Sequence, residues 1–422
     1  MGFDIAMSGI QAINEQLGTI SNNIANAGTF GFKSSRANFA SQYAGDQASG
    51  TKIGSISQSI GTIGSTTQTG RGMDAAINGR GFFVVQDGLG AAQYTRVGIF
   101  DSDANGFLVD QSGRRVQGFA QEVGSTVLGP LGDLTVPAGQ IPAVATTKLT
   151  YTSNYSSDWK VPAAAFPDIT TGDTTLAANI NPETYNMSRV SVVYDERGNQ
   201  HSVTQYFIRS GTAGESSSSA VNVQYAVDGK IVDGAVTALT FNADGTIVGA
   251  PNPVADDPYV FAQLIIPAAT TTGATDLTLN IDYRGGTLYA GEASTSVNKS
   301  DGYSAGNFTG TEIGKDGSLI AKYSNGQRQT VGKIALATFP SETSLTPISD
   351  TSWSANLSSG TPLYTTPGVG MAGTLSTSAL ENSNVDVTTE LVGLMTAQRN
   401  YQANSKVLQT ESTVLQSLMQ AM

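Results

Sequence analysis

The stretch FDIAMSGIQAINEQLGTISNNIAN at residues 3–26 sets the architecture of this chain. Phe3, Ala6, Ile10, Ile13, Leu17, Ile20 and Ile24 recur at steps of three and four, the a/d spacing of a coiled-coil seam, and all seven positions are apolar. A helix over this stretch is about 36 Å long. Helices of such length are marginal alone in water, and Gly9 and Gly18 each cost this one about 1 kcal/mol relative to Ala. Burying a Leu or Ile contributes about 1.5–3 kcal/mol, so the seam stabilises the helix only when a partner covers it. The expectation is an end that stays unordered until it assembles.

The far end carries the matching pattern. Val387, Leu391, Leu394, Gln398, Tyr401, Ser405, Leu408, Ser412, Leu415, Met419 and Met422 step in the same way, and eight of these eleven positions are apolar. All 14 prolines lie between Pro130 and Pro367, so the strongest helix breaker is absent from both ends. Two ordinary helices packing on a globular core would share this periodicity. Their position at both extremes, with no other convincing helix to join, favours an assembly device.

Between the ends the chain reads as strands and turns. Gly81 to Val85 is a buried-strand run, and Val190 to Tyr194, a turn at 195–199 and Val203 to Ile208 read as a hairpin. Val221 to Val227 and Ile231-Val232 flank Asp228-Gly229-Lys230 as a second hairpin, while Leu277 to Tyr283 alternates with period two. All of these are antiparallel signals. Residues 41–70, rich in Gly, Ser, Thr and Gln, read as an extended connector, and residues 211–220 as an exposed loop.

Composition narrows the chemistry. The 422 residues suffice for two or three domains, only 13% are charged, and 34 acidic residues face 22 basic ones with no basic cluster, which excludes nucleic-acid binding. There is no cysteine, hence no disulfide framework or thiol nucleophile. No basic start followed by an apolar run marks a cleaved signal peptide, and no stretch is long and apolar enough to insert into a membrane. Asp101-Ser-Asp103-Ala-Asn105-Gly106 copies the start of a calcium loop, but Ser112 stands where the bidentate Glu belongs, so a turn between strands is expected. Ser157-Asp158-Trp159-Lys160 has a penicillin-binding spacing without its companion motifs and reads as loop. The lone His201 reads as a solvated strand residue. No catalytic residue, metal or cofactor is expected, although acids that meet only in space leave carboxylate chemistry open.

The run Ser21-Asn22-Asn23-Ile24-Ala25-Asn26-Ala27-Gly28-Thr29-Phe30-Gly31-Phe32-Lys33 resembles the N-terminal signature of the bacterial flagellar rod and hook axial protein family. In it Asn26 and Gly28 are expected to end the helix through left-handed conformations, and Phe30 and Phe32 to anchor the chain. Ser383-Asn384-Val385-Asp386, Glu390-Leu391-Val392 and Ala397-Gln398-Arg399-Asn400-Tyr401-Gln402 resemble the C-terminal signature, with Asn384 or Asp386 capping the helix. Thr69 to Ile77, Gly81-Phe82-Phe83, Tyr94-Thr95-Arg96-Val97-Gly98 and Gly106 to Val109 extend the likeness. Within the family, the room for an outer domain, the hairpin at 194–199, the return strand at 323–327 and a short connector resemble the hook branch.

The resemblance implies a multidomain fold: a coiled-coil α-helical domain from both termini, with nested, discontinuous, mainly antiparallel β domains. The expected parts are 1–28 with 386–422 as helical assembly domain, 29–70 with 366–385 as connector, 71–148 with 297–365 as inner β domain and 149–296 as outer β domain. It also implies a subunit of a hollow, curved tube acting as a universal joint between rod and filament. Its implied partners are further copies of itself, the distal rod protein, the hook-filament junction protein, the hook cap protein and the type III export apparatus that delivers it outside the cell. A distal rod or junction protein, a secreted β-rich adhesin, and a carboxylate glycosidase are the competing readings. Low charge density suits contacts that slide, because salt bridges would lock one register. Charging one outer-domain surface should therefore straighten isolated tubes, and unchanged curvature under electron microscopy would contradict this.

Overall fold

Long-range pairing begins where the first helix stops. The computed structural model describes residues 2–44, 47–121, 125, 127–137, 139–167, 180–211, 219–248, 260–266 and 276–421. The two long helices among them are α1, Gly2–Ala25, and α2, Val387–Ala421. The chain divides into two compact units, one of residues 1–138, 309–322 and 328–422, the other of 139–308 and 323–327.

The first unit holds both helices. After α1, strands β1 (Ser35–Ala44) and β2 (Gln47–Gln58) pair antiparallel from Ser35 opposite Gln58 to Ala44 opposite Gln47. Much of the stretch expected to be an extended connector is thus paired strand, folded back along Ser35–Ala44. Its sparse apolar residues hid the alternation, because bulges at Asn38/Phe39 and Gln42/Tyr43 break the period of two. The return leg Ala379–Glu381 pairs with Thr66–Gln68, and Thr374–Thr377 pairs with Ala75–Asn78, so outgoing and returning chain are zipped together. Beyond this zipper a mixed-length antiparallel sheet is built around Phe82–Gln86. Phe82, Val84, Tyr94, Phe339 and Trp353 fill its core, with Phe82 edge-on to Phe339 at 6.1 Å.

The second unit has two four-stranded sheets. One orders Val260–Ile266, Leu277–Asp282, Lys148–Asn154 and Ser294–Ser300; the other runs Met187–Tyr194, Gln200–Arg209, Ala220–Val227 and Lys230–Thr240. Tyr151, Phe207, Val223, Tyr225, Leu279 and Tyr283, drawn from both sheets, share one core. Buried polar groups are linked there in a chain, with Tyr283 donating to Gln205 at 2.5 Å and Gln205 donating to Ser191 at 3.0 Å.

Several expectations are corrected here. Lys148–Asn154 pairs parallel with Leu277–Asp282, so antiparallel pairing is not universal. The second unit is wider than 149–296, because Ile141 bridges Gly306 and Val144 bridges Tyr303. Residues 323–327 form the turn between Ser318–Tyr323 and Arg328–Ile334 rather than a return strand, with Gly326 at φ 80° and Asn325 donating to the Ser304 carbonyl at 2.6 Å. His201 is buried, not solvated: its Nδ1 lies 2.6 Å from Asp228 of the neighbouring hairpin turn, which folds back over the ring. The loop expected at 211–220 lies largely outside the described residues. The calcium-like segment is a turn in which the Asp103 carboxylate accepts from the backbone of Asn105 and Phe107. Residues 157–160 lie in loop, where the Ser157 N–H donates to the Tyr289 carbonyl.

In the first unit, burial works to raise the Asp316 carboxyl, but hydrogen bonds from Lys333 and Ser318 outweigh it and hold the group at about 2. A lowered acid stabilises the fold above its unfolded value of 3.8 and loses that contribution as pH falls toward 2. The melting-temperature gap between the parent and Asp316→Asn should therefore be constant above pH about 4 and close by pH about 2, in a thermal titration.

Candidate assembly interface

The two helices pack antiparallel. Asn404 lies against Gly9, Ile20 against Gly393, and Glu390 accepts from Asn23 at 2.9 Å. Ile13, Ile20 and Ala397 form the buried centre, with Leu17, Ile24 and Leu394 packed around it. Along α1, Ala6 is buried as well, Ile10 is half-buried and Phe3 is 40% exposed. Gly9 leaves room for the Asn404 side chain: a Cβ there would stand 2.9 Å from its amide nitrogen Nδ2.

On α2 the contact row differs from the expected one. Leu394 and Leu408 are half-buried, but Val387, Leu391, Tyr401, Leu415 and Met419 are exposed, and Met422 lies outside the described residues. Gln398 and Ser412, drawn into the apolar row by spacing alone, are exposed too. The row turned to α1 runs through Glu390, Leu394, Ala397, Asn404, Leu408 and Glu411, one residue off at alternate steps. Periodicity weights large apolar side chains, whereas close packing selects small ones, and Ala397 and Gly393 admit the α1 isoleucines.

The signature residues after α1 do structural work. Asn23 is buried; its amide oxygen accepts from the Ser35 N–H at 2.9 Å and its amide nitrogen donates to the Ser35 carbonyl at 2.8 Å. It thereby pairs with the start of β1 as a strand residue would, while holding α2 through Glu390. Asn26 and Gly28 are not left-handed, contrary to expectation: the Asn26 side chain donates back to the Asn22 carbonyl at 3.0 Å and ends the helix that way. The left-handed residue is Gly31, at φ 69°. Its N–H donates to the Glu381 carbonyl at 2.8 Å, and a Cβ would press on Val97 at 3.0 Å. Asp386 caps α2, its carboxylate accepting from the Thr388 N–H at 3.0 Å and the Thr389 hydroxyl at 2.7 Å. Asn384 instead ties the two legs, accepting from the Ser34 N–H and donating to the Ser59 and Thr62 carbonyls.

At the base of the helices lies a buried charge cluster. Glu381 receives Lys33 at 2.6 Å on one oxygen and Arg96 at 3.3 Å on the other, and all three side chains are essentially inaccessible. Lys33 also donates to the Thr62 carbonyl at 2.7 Å, Arg96 to the Gly79 carbonyl at 2.9 Å, and the Gly64 N–H to Glu381 at 3.0 Å. Burial pushes the Lys33 ammonium and the Arg96 guanidinium below their ordinary values, and Glu381 opposes it for both. Glu381 was not singled out from sequence. Its signal was present: a lone acid following Ala379-Leu380 in a strand needs a cation.

The remaining signature residues behave otherwise. Gln398, Arg399 and Gln402 are exposed and, among the described residues, make no side-chain hydrogen bond or ion pair. Ile24 and Phe32 are half-buried, while Ala25 and Asn22 are surface residues. Removing one partner from a buried ion pair costs about 3–5 kcal/mol, so Glu381→Gln, which strands two cations, should lower stability by that amount in denaturant titration. Gly31→Ala should cost at least about 1–2 kcal/mol from the left-handed backbone alone.

Four family models match the chain: flagella basal body rod protein over residues 3–33, the flagellar hook protein FlgE/F/G D1 domain over 76–154, the flagellar basal body protein FlaE D2 domain over 154–303, and the flagellar basal body rod FlgEFG protein C-terminal region over 376–421. The chain is 34% identical to flagellar hook protein FlgE of Escherichia coli over 428 residues, covering 99% of each. It is 33% identical to that of Salmonella typhimurium over 430 residues and 29% identical to that of Treponema pallidum over 466 residues, with 99% and 98% of this chain covered. Its fold is similar to the crystal structure of Helicobacter pylori flagellar hook protein FlgE2, with TM-score 0.51 and 13% identity over 73% of this chain and 98% of that one.

Proposed function

The chain belongs to the flagellar hook protein family and is a structural subunit of the flagellar hook, and from this we propose that its terminal helices build the assembly domain of a flexible, hollow polymer. The observation that carries the reading is the split in the signatures. Asn23, Gly31 and Lys33 are consumed inside the chain, whereas Gln398, Arg399, Tyr401 and Gln402 face outward without partners among the described residues. Residues that match a family signature yet make no side-chain hydrogen bond or ion pair among the described residues are suited to contact another copy.

The helix pair also supports a wall for an export channel. On the side of α2 away from α1 stand Thr388, Arg399, Gln402, Lys406, Thr413 and Ser417, all exposed. The Thr413 and Ser417 hydroxyls donate to the carbonyls four residues earlier, at 2.9 Å each, which keeps those two hydroxyls from holding a passing chain. The same reading places the subunit outside the cell, between distal rod and hook-filament junction proteins, delivered by type III export without a cleaved signal under a cap protein.

A concentration series by electron microscopy tests the assembly role. The full chain should form tubes, while protein lacking residues 1–28 and 386–422, which retains the Lys33–Glu381 cluster, should stay monomeric. Tubes from the shortened protein would refute the role of the ends. Deleting the gene in a motile host should leave basal bodies with a rod and no hook.

A further inference from the structure

The packing of the described part of α1 on α2 stops short of the described end of α2. Gly9 meets Asn404, Ile20 meets Gly393 and Asn23 meets Glu390, so each step forward on α1 is a step back on α2, and Gly2 stands level with Glu411. Past that level the described part of α2 continues to Ala421, about 15 Å further. The face that α2 turns toward α1 keeps its apolar character there. Leu394, Leu408 and Leu415 fall on one side at multiples of seven residues; the first two are half-buried, but Leu415 is 54% exposed and Met419, one turn on, is 72% exposed.

A second uncovered patch lies at the opposite end of the same helix. Val387, Leu391 and Met395 stand four residues apart and are 41%, 47% and 54% exposed. Leu391 and Leu415 are separated by about 36 Å of rigid helix, so the two patches cannot meet within one copy. Contacts between unlike patches at opposite ends of a molecule generate open polymers, whereas a like-with-like contact closes into a dimer.

We propose that the Leu415–Met419 end of one copy docks on the Val387–Leu391–Met395 patch of a second copy, head to tail along the helix axis. The docking rests on the reading of the chain as a self-assembling hook subunit and gives that assembly its axial contact. The seam between α1 and α2 is thereby continued across the joint by an apolar surface of the next subunit. Val387 to Met395 lie beside the helix base, which the Asp386 cap and the Glu390–Asn23 bond hold in place, so the receiving surface is rigid.

The chain has no cysteine, which makes cross-linking clean. Tubes should be formed from chains carrying Leu391→Cys or Met395→Cys together with Leu415→Cys or Met419→Cys, then oxidised mildly. At least one of the four pairs should give a ladder of covalent oligomers, because a disulfide forms only where Cα atoms approach within about 7 Å. Each single substitution should give no cross-link. Tubes without a ladder from any pair overturn the docking while leaving the subunit reading intact, and so does a dimer from Met419→Cys alone or a ladder from Met419→Cys with Phe3→Cys. Absence of tubes from the unmodified chain overturns both. Independently, the Leu415→Gln, Met419→Gln double variant should raise the critical concentration for tube formation at least about tenfold, with the circular dichroism spectrum of the monomer unchanged. An unchanged critical concentration also overturns the docking.

Discussion

One buried carboxylate, Glu381, holds the first unit together. Two cations from distant parts of the chain converge on it, Lys33 after α1 and Arg96 just beyond the strand Ala92–Thr95. Each ion would be costly in isolation, and each is matched by backbone carbonyls at Thr62 and Gly79 and by the Gly64 N–H. The cluster therefore forms only when the outgoing leg, the inner sheet and the returning leg are all in place. A pair of apolar side chains would tolerate sliding between those legs; a bonded carboxylate with two oriented cations does not.

Everything distal follows from that registration. With Ala379–Glu381 fixed against Thr66–Gln68, the chain leaves the sheet at a defined point beside its own entry. Asn384 ties the Ser34 and Thr62 backbones, Asp386 starts α2, and Asn23 joins α1, β1 and α2 at one residue. Two helices that are marginal alone are thus presented side by side, and their mutual packing needs only the short row from Ile13 to Ile24. Their outer faces and the end of α2 stay free for other copies.

The second unit rests on a different interaction. Its two sheets close on an aromatic core in which Tyr151 and Phe207 stack at 5.3 Å, and the Tyr225 and Tyr283 hydroxyls are bonded to each other and to Gln205 within it. Burial raises Tyr225 to about 12, so the hydroxyls there remain neutral donors. Because this core draws on residues between Ala145 and Ala293, all inside the second unit, the unit is an insertion in a chain whose ends belong to the other unit.

Sequence alone determined what depends on local period and on local chemistry. The helices at both ends follow from three-and-four spacing without proline, the hairpins at 187–209 and 220–240 from alternation around Asp-Glu-Arg-Gly-Asn and Asp-Gly-Lys turns, and the axial-protein signatures from contiguous residues. What needed tertiary structure involves residues far apart. The β1–β2 ribbon was hidden because bulges break its alternation, and His201 looked solvated because its partner Asp228 lies on another hairpin. The row of α2 that meets α1 was misplaced by one residue because packing distance, set by Gly393 and Ala397, outweighs side-chain size. Glu381 signals its need for a cation locally, but not which one: 348 positions separate it from Lys33, and only the folded chain brings the charges to 2.6 Å.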